Sequence, residues 1–210
     1  MHLAEGVLSA PVLATGAALT AGGVIVGLRG MRLEDVPRVA VMSSAFFVAT
    51  FIHVPVGPFS VHLVLNGLMG LLLGWAAFPA ILIALTLQAV VFGYGGLTVL
   101  GVNTFTMATG ALACYFALRG WATSERPDRV LSAGALAGAG AVLVSGILGA
   151  AALAASGRQF YGEAALLLSG HAALMAVEAL VTAAALRFLY RVRPETLRTA
   201  AAVSEGASHG

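Results

Sequence analysis

Long apolar runs, broken by Pro, Gly and clustered charge, organise this chain; neither the strict alternation of a half-buried strand nor the single stripe of a surface helix dominates. Runs near 8–28, 37–52, 61–77, 79–100, 104–121, 130–156 and 163–190 each approach the ~20 residues that a helix needs to cross a ~30 Å hydrocarbon layer. The pattern predicts an all-α polytopic membrane protein with about seven transmembrane helices in one bundle. Residues 1–198 form one transmembrane domain on this reading, and 199–210 a disordered cytoplasmic tail. Only Ala77, Phe78 and Pro79 separate the third and fourth runs, which predicts a tight hairpin with Pro79 in the first turn of the fourth helix. Gly134 and Gly138 permit close helix packing, within the bundle or across a dimer face, the former being the simpler account. No inverted repeat of a two-half secondary transporter is evident.

Composition sharpens this picture. With 60% hydrophobic and 10% charged residues and a mean hydropathy of +0.96, the chain is too apolar for a solvated globular domain. The spans leave no length for a catalytic or nucleotide-binding domain, and no G-x-x-x-x-G-K-[ST] loop occurs. A lone Cys114 excludes an intramolecular disulfide and a cysteine-rich metal centre. All 11 basic residues are arginines, and a net charge of +2 here reports orientation rather than nucleic-acid binding. Arg29, Arg32 and Arg38 follow the first run, Arg119, Arg126 and Arg129 the fifth, and Arg187, Arg191, Arg193 and Arg198 close the seventh; Arg158 alone falls on the other side. The positive-inside rule then predicts an external N-terminus and a cytoplasmic C-terminus, which seven spans satisfy. Residues 1–7 carry Glu5 and no Lys or Arg, which argues against a cleaved signal peptide.

Polar groups inside such a bundle are costly and are the functional candidates. His2, His53, His62 and His171 all fall on the predicted outer side, His171 roughly 12 Å below the surface, while His209 sits in the tail. Four imidazoles with few acids nearby suit a borderline transition metal rather than Mg²⁺ or Ca²⁺, with a proton relay as the competing account. His2 is the sharpest clue: the Met1 α-amine, the His2 backbone nitrogen and the His2 ring together can close two small chelate rings. A fourth nitrogen, best from His62, would complete a square plane suited to Ni(II) or Cu(II) and imposable on Co(II). Such binding releases protons and weakens toward acidic pH. His171 and Glu178, seven apart on one helical face, suggest a structural pair or a proton path. Asn66 and Asn103 have amides able to orient a ligand histidine or pin loops. Gly93-Tyr94-Gly95-Gly96 lacks the basic residue of a phosphate cradle and reads as an irregular outer connection. Cys114, Met69, Met107 and Met175 read as packing.

At its N-terminus Met1-His2-Leu3-Ala4-Glu5-Gly6 resembles the Met-His-Ile-x-[Asp/Glu]-Gly signature of the CbiM/NikM family, the metal-capture membrane subunits of energy-coupling factor cobalt and nickel transporters. Ser60-Val61-His62-Leu63, Phe92 to Thr98, Gly101 to Ala108 and Val177-Glu178-Ala179-Leu180-Val181-Thr182 are similar to further family segments, so the resemblance spans residues 1 to about 198. Ala4, and Val64-Leu65-Asn66-Gly67 after His62, depart from the usual pattern and bear on metal preference. The resemblance implies seven spans, an N-terminus threaded into the outer mouth, and Ni²⁺ or Co²⁺ held by Met1, His2 and His62. His53, Asn66, Asn103, His171 and Glu178 would stand around the metal or gate it. It also implies a transmembrane coupling subunit and two cytosolic ATPases as partners, with room for a small accessory membrane subunit, in the cytoplasmic membrane of a prokaryote. No catalytic cofactor, nucleic acid or enzymatic step is expected. An autonomous proton-coupled metal carrier using His171 and Glu178 is the alternative, and an intramembrane enzyme ranks last for want of a catalytic pair.

Overall fold

A computed structural model of the chain describes residues 3–56 and 59–197. The predicted tail, with Arg198 and His209, lies outside those residues, as do Met1 and His2. Seven α-helices account for most of the rest: α1 (Ala10–Arg29), α2 (Val36–Ala49), α3 (Asn66–Leu73), α4 (Ala77–Phe92), α5 (Leu100–Ala122), α6 (Pro127–Ser156) and α7 (Tyr161–Val192). Their starts follow local chemistry. Ser9 precedes α1 with a proline in its first turn, and Pro127 opens α6 where its missing N–H costs nothing. α4 ends on Gly93 in the left-handed region, whose N–H returns to the Ala89 carbonyl.

The third apolar run departs most from expectation. It is not one membrane-length helix: α3 has eight residues, about 12 Å, and follows a two-stranded antiparallel hairpin, β1 (His53–Val56) and β2 (Phe59–His62). Alternating β-branched and aromatic residues beside Gly57 and Pro58 favour strands over helix there. The regular structure among the described residues is thus helical apart from one short two-stranded sheet, in which His53 stands opposite His62.

The hairpin expected between the third and fourth runs exists in altered form. α3 runs parallel to α5, Gly70 lying against the Ala111 backbone and Gly74 against the Tyr115 ring. α4 then leads back toward the start of α5, so the chain reverses at Gly74–Ala76, where Gly74 adopts φ 54°. Ala77, Phe78 and Pro79 belong to the first turn of α4 rather than to the turn. Among the described residues four stretches are long and apolar enough to cross a membrane: Ala10–Arg29, Asn66–Phe92, Pro127–Ser156 and Arg158–Val192. The reversal at Gly74–Ala76 means that length overstates the second of these.

Packing sorts the bundle into two ends. The close of α1, the start of α2, the α5–α6 connection and the close of α7 share one end, where the Tyr190 hydroxyl donates to the Glu125 carbonyl at 2.6 Å and Arg38 lies beside Leu72 and Leu73 of α3. The arginine-rich segments meet here. At the opposite end the segment before α1 meets the close of α6, through the Ser9 N–H on Ser156 Oγ at 3.1 Å. Phe47, Phe51 and Phe92 stack there at 5.0–5.9 Å and tie the close of α2 to that of α4. Gly134 and Gly138 pack inward on α7, meeting the backbones of Ala183 and Glu178. Their spacing therefore serves the bundle itself.

Candidate metal centre

The end away from the arginines is built by three segments folded onto the helices, and each is held by one polar side chain, buried for Asn103 and Glu178 and exposed for Glu5. The first described residue, Leu3, is clamped by Asn103 of α5: its N–H donates to Asn103 Oδ1 at 3.0 Å, and Asn103 Nδ2 donates to its carbonyl at 3.1 Å. A carboxamide thus reads one residue's backbone as a neighbouring strand would, and fixes the point from which His2 and Met1 depart. Glu5 makes the second attachment. Its Oε1 accepts from the Thr98 N–H at 3.0 Å and the Thr98 hydroxyl at 3.2 Å, and these bonds lower its carboxyl below the ordinary 4.5. Gly96, at φ 115°, lets the glycine-rich loop run against the Glu5 side chain; a Cβ there would collide with it.

The third segment leads from the β-hairpin into α3. The Leu63 N–H donates to the Ile52 carbonyl at 3.2 Å. Glu178 of α7, 0% exposed, accepts the N–H groups of both Val64 and Leu65, the latter at 3.0 Å from each carboxylate oxygen. Leu65 is the one described non-glycine residue with a positive φ, 59°, a conformation that costs a leucine roughly 1–2 kcal/mol. The buried carboxylate holds that strained turn in place. His62 precedes it, half-buried, with Nδ1 3.1 Å from the Leu63 carbonyl.

Between these attachments lies a cavity of about 30 Å³ lined by Leu3, Val64, Asn66, Asn103, Ser145 and His171 among others. That is room for one or two waters or a single ion. His171 is buried, and its Nδ1 lies 2.6 Å from the Leu167 carbonyl; Asn66 donates to Ser145 Oγ at 3.0 Å.

The structure therefore brings Asn66, Asn103 and His171 to one cavity, with Leu3 on its wall and Glu178 bonded to Val64 behind that wall. The pairing expected between His171 and Glu178 is absent: each has a backbone partner of its own. Met1 and His2 lie outside the described residues, and the His53 side chain is not among those described. Among the described residues no cluster of three or more His, Cys, Asp or Glu side chains could hold a metal. Two residues escaped sequence reading. Ser145 was hidden among the small residues of α6, and the Glu5 attachment depends on a partner 93 positions away, a separation that leaves no local signal.

The family profile of the cobalt uptake substrate-specific transmembrane region, CbiM, matches residues 2–196. The chain belongs to the CbiM family. A Haemophilus influenzae protein named for metal transport is 42% identical over 94% of this chain and 97% of its own length. The cobalt transport protein CbiM of Sorangium cellulosum is 33% identical over 94% of each. The fused nickel transport protein NikMN of Rhodobacter capsulatus is 34% identical over 94% of this chain but 64% of its own length. In fold, a crystal structure of a truncated transition metal transporter superposes with a TM-score of 0.66 at 23% identity, covering 91% of this chain and 99% of the other. This CbiM-family chain is thus a membrane protein of cobalt and nickel transport relatives.

Proposed function

We propose that the chain is the capture subunit of an energy-coupling factor importer, taking Ni²⁺ or Co²⁺ from outside a prokaryotic cytoplasmic membrane. The Met1 amine, the His2 amide and ring nitrogens and a ring nitrogen of His62 form a square plane around the metal, which suits the preference of d⁸ nickel for nitrogen in tetragonal geometry. The observation that carries this reading is the Asn103 clamp on Leu3. A buried carboxamide committed to the backbone of Leu3, the residue bonded to His2, holds Leu3 on the wall of the cavity that the segment after His62 also lines. His62 Nδ1 donating to the Leu63 carbonyl puts the ring lone pair on Nε2, the usual division of labour in a metal-bound imidazole.

The arginine end faces the cytoplasm, which places the N-terminus outside. A transmembrane coupling subunit and two cytosolic ATPases supply the energy that this chain has no phosphate loop to obtain. The fused NikMN relatives support a small membrane subunit as a further partner. Equilibrium dialysis of the detergent-purified protein with Ni²⁺ tests the site. One tightly held metal with a square-planar visible spectrum is expected, lost in His2→Ala and in His62→Ala; a full complement of metal in either variant would refute the ligand set.

A further inference from the structure

The cavity beneath the Leu3 clamp presents acceptors whose own donors are spent elsewhere. His171 Nδ1 can only donate to the Leu167 carbonyl, 2.6 Å away, so its Nε2 carries the lone pair. Ser145 gives its hydroxyl proton to the Ala141 carbonyl at 2.7 Å and can only accept from Asn66. The Asn66 group 3.0 Å from it must therefore be the NH₂, which settles the carboxamide's orientation and leaves Oδ1 as the other end. That oxygen is buried without a hydrogen-bond partner, in a residue 1% exposed. The Asn103 amide is occupied at both ends by Leu3, and the Thr106 hydroxyl donates to the Asn103 carbonyl at 3.0 Å.

An orphaned buried carbonyl oxygen is costly unless something occupies the space beside it. Acceptors of this kind fit a cation, or a water donating both protons. Place favours the cation. Leu3 on the cavity wall is attached to His2, and Val64 on the same wall is bonded to the Glu178 carboxylate, the one acid deep in α7. A nitrogen and an amide oxygen with a carboxylate close behind suit a borderline divalent metal.

We infer that this cavity is an inner binding site for the transported divalent metal, held by His171 Nε2 and Asn66 Oδ1 one step below the mouth. The inference rests on the capture reading above, and the following experiment separates the two. Co²⁺ is titrated calorimetrically and by visible absorption into the full chain in detergent, with its native N-terminus and with one residue added before Met1 to disable the capture site. The extended chain is expected to keep one weaker cobalt per molecule. In that background His171→Ala lowers the affinity at least tenfold, and Asn66→Asp raises it severalfold, because a carboxylate helps a cation and does nothing comparable for a water. With the native N-terminus, His171→Ala retains the tight cobalt. An extended chain that binds no cobalt, beside a native chain that binds one tightly, overturns the inner site and leaves the capture reading standing. An extended chain that binds as tightly as the native one overturns the capture reading itself. Loss of the tight cobalt in native His171→Ala moves His171 into the capture site and overturns the inference. Should that variant not fold, unchanged or weaker affinity in Asn66→Asp does the same.

Discussion

Single polar side chains decide where the chain's loops lie, so the sharpest expectations fall on them. Removing Asn103 by Ala substitution strands the buried N–H and carbonyl of Leu3; metal affinity is expected to fall about 10–100-fold, the usual loss when a supporting partner of a ligand is removed, with about 1–3 kcal/mol of stability lost. Glu178→Ala strands two buried amide donors and should cost about 2–5 kcal/mol in detergent unfolding. Glu178→Gln keeps one acceptor and should cost less; equal losses would contradict the bonding described. Glu5 brings a pH dependence. Its folded carboxyl lies below 4.5 because Thr98 bonds the ionised form, so its hold on the glycine-rich loop is complete above about that pH and is lost as pH falls through the lower value. Protection of the Thr98 amide against hydrogen exchange, measured relative to its intrinsic rate, should fall on acidification in the native chain and show no such pH dependence in Glu5→Gln. His62, Asn66, Asn103, His171 and Glu178 were legible as candidates because polar groups are rare in apolar runs. Their partners were not, because hydrogen bonds between residues 100 or more positions apart leave no periodic trace.

At the scale of elements, α6 and α7 pack through Gly134 and Gly138. A methyl group at Gly138 would meet the Glu178 backbone, which cannot yield without carrying α7 and the carboxylate that holds Leu65. Gly138→Ala is therefore expected to destabilise the bundle by about 1–3 kcal/mol and to weaken metal binding with it. A thermal midpoint and metal affinity both at native values would contradict that coupling. Five of the seven apolar runs overlap helices whose ends lie within about four residues of them, α2 being the shortest at 14 residues, because burial in an apolar medium demands continuous helix. The fourth run, 79–100, overlaps α4, which stops at Phe92, eight residues before its expected end. The third matches no long helix, since strand-favouring residues at 53–56 and 59–62 precede a helix of only eight residues. Gly74 then reverses the chain three residues before the Ala77–Pro79 hairpin expected from the sequence, because a glycine can take the positive φ of the turn.

For the whole molecule, arginines collect at one end and the clamped Leu3 lies at the other, the asymmetry that the proposed capture role requires. Charge counting along the sequence made that asymmetry legible, while the cavity between the two asparagines and His171 needed the fold. Uptake is expected to depend on separately encoded ATPase subunits. Energised accumulation of metal by this chain alone in liposomes would instead favour a proton-coupled carrier working through His171 and Glu178. The proposed square-planar centre that uses the free amine of Met1 is best probed by metal content and visible absorption after nickel loading, comparing the native chain with one extended by a single residue before Met1. One nickel per native chain with a square-planar spectrum is expected, both lost on extension; equal nickel content and identical spectra in the two proteins would refute the centre.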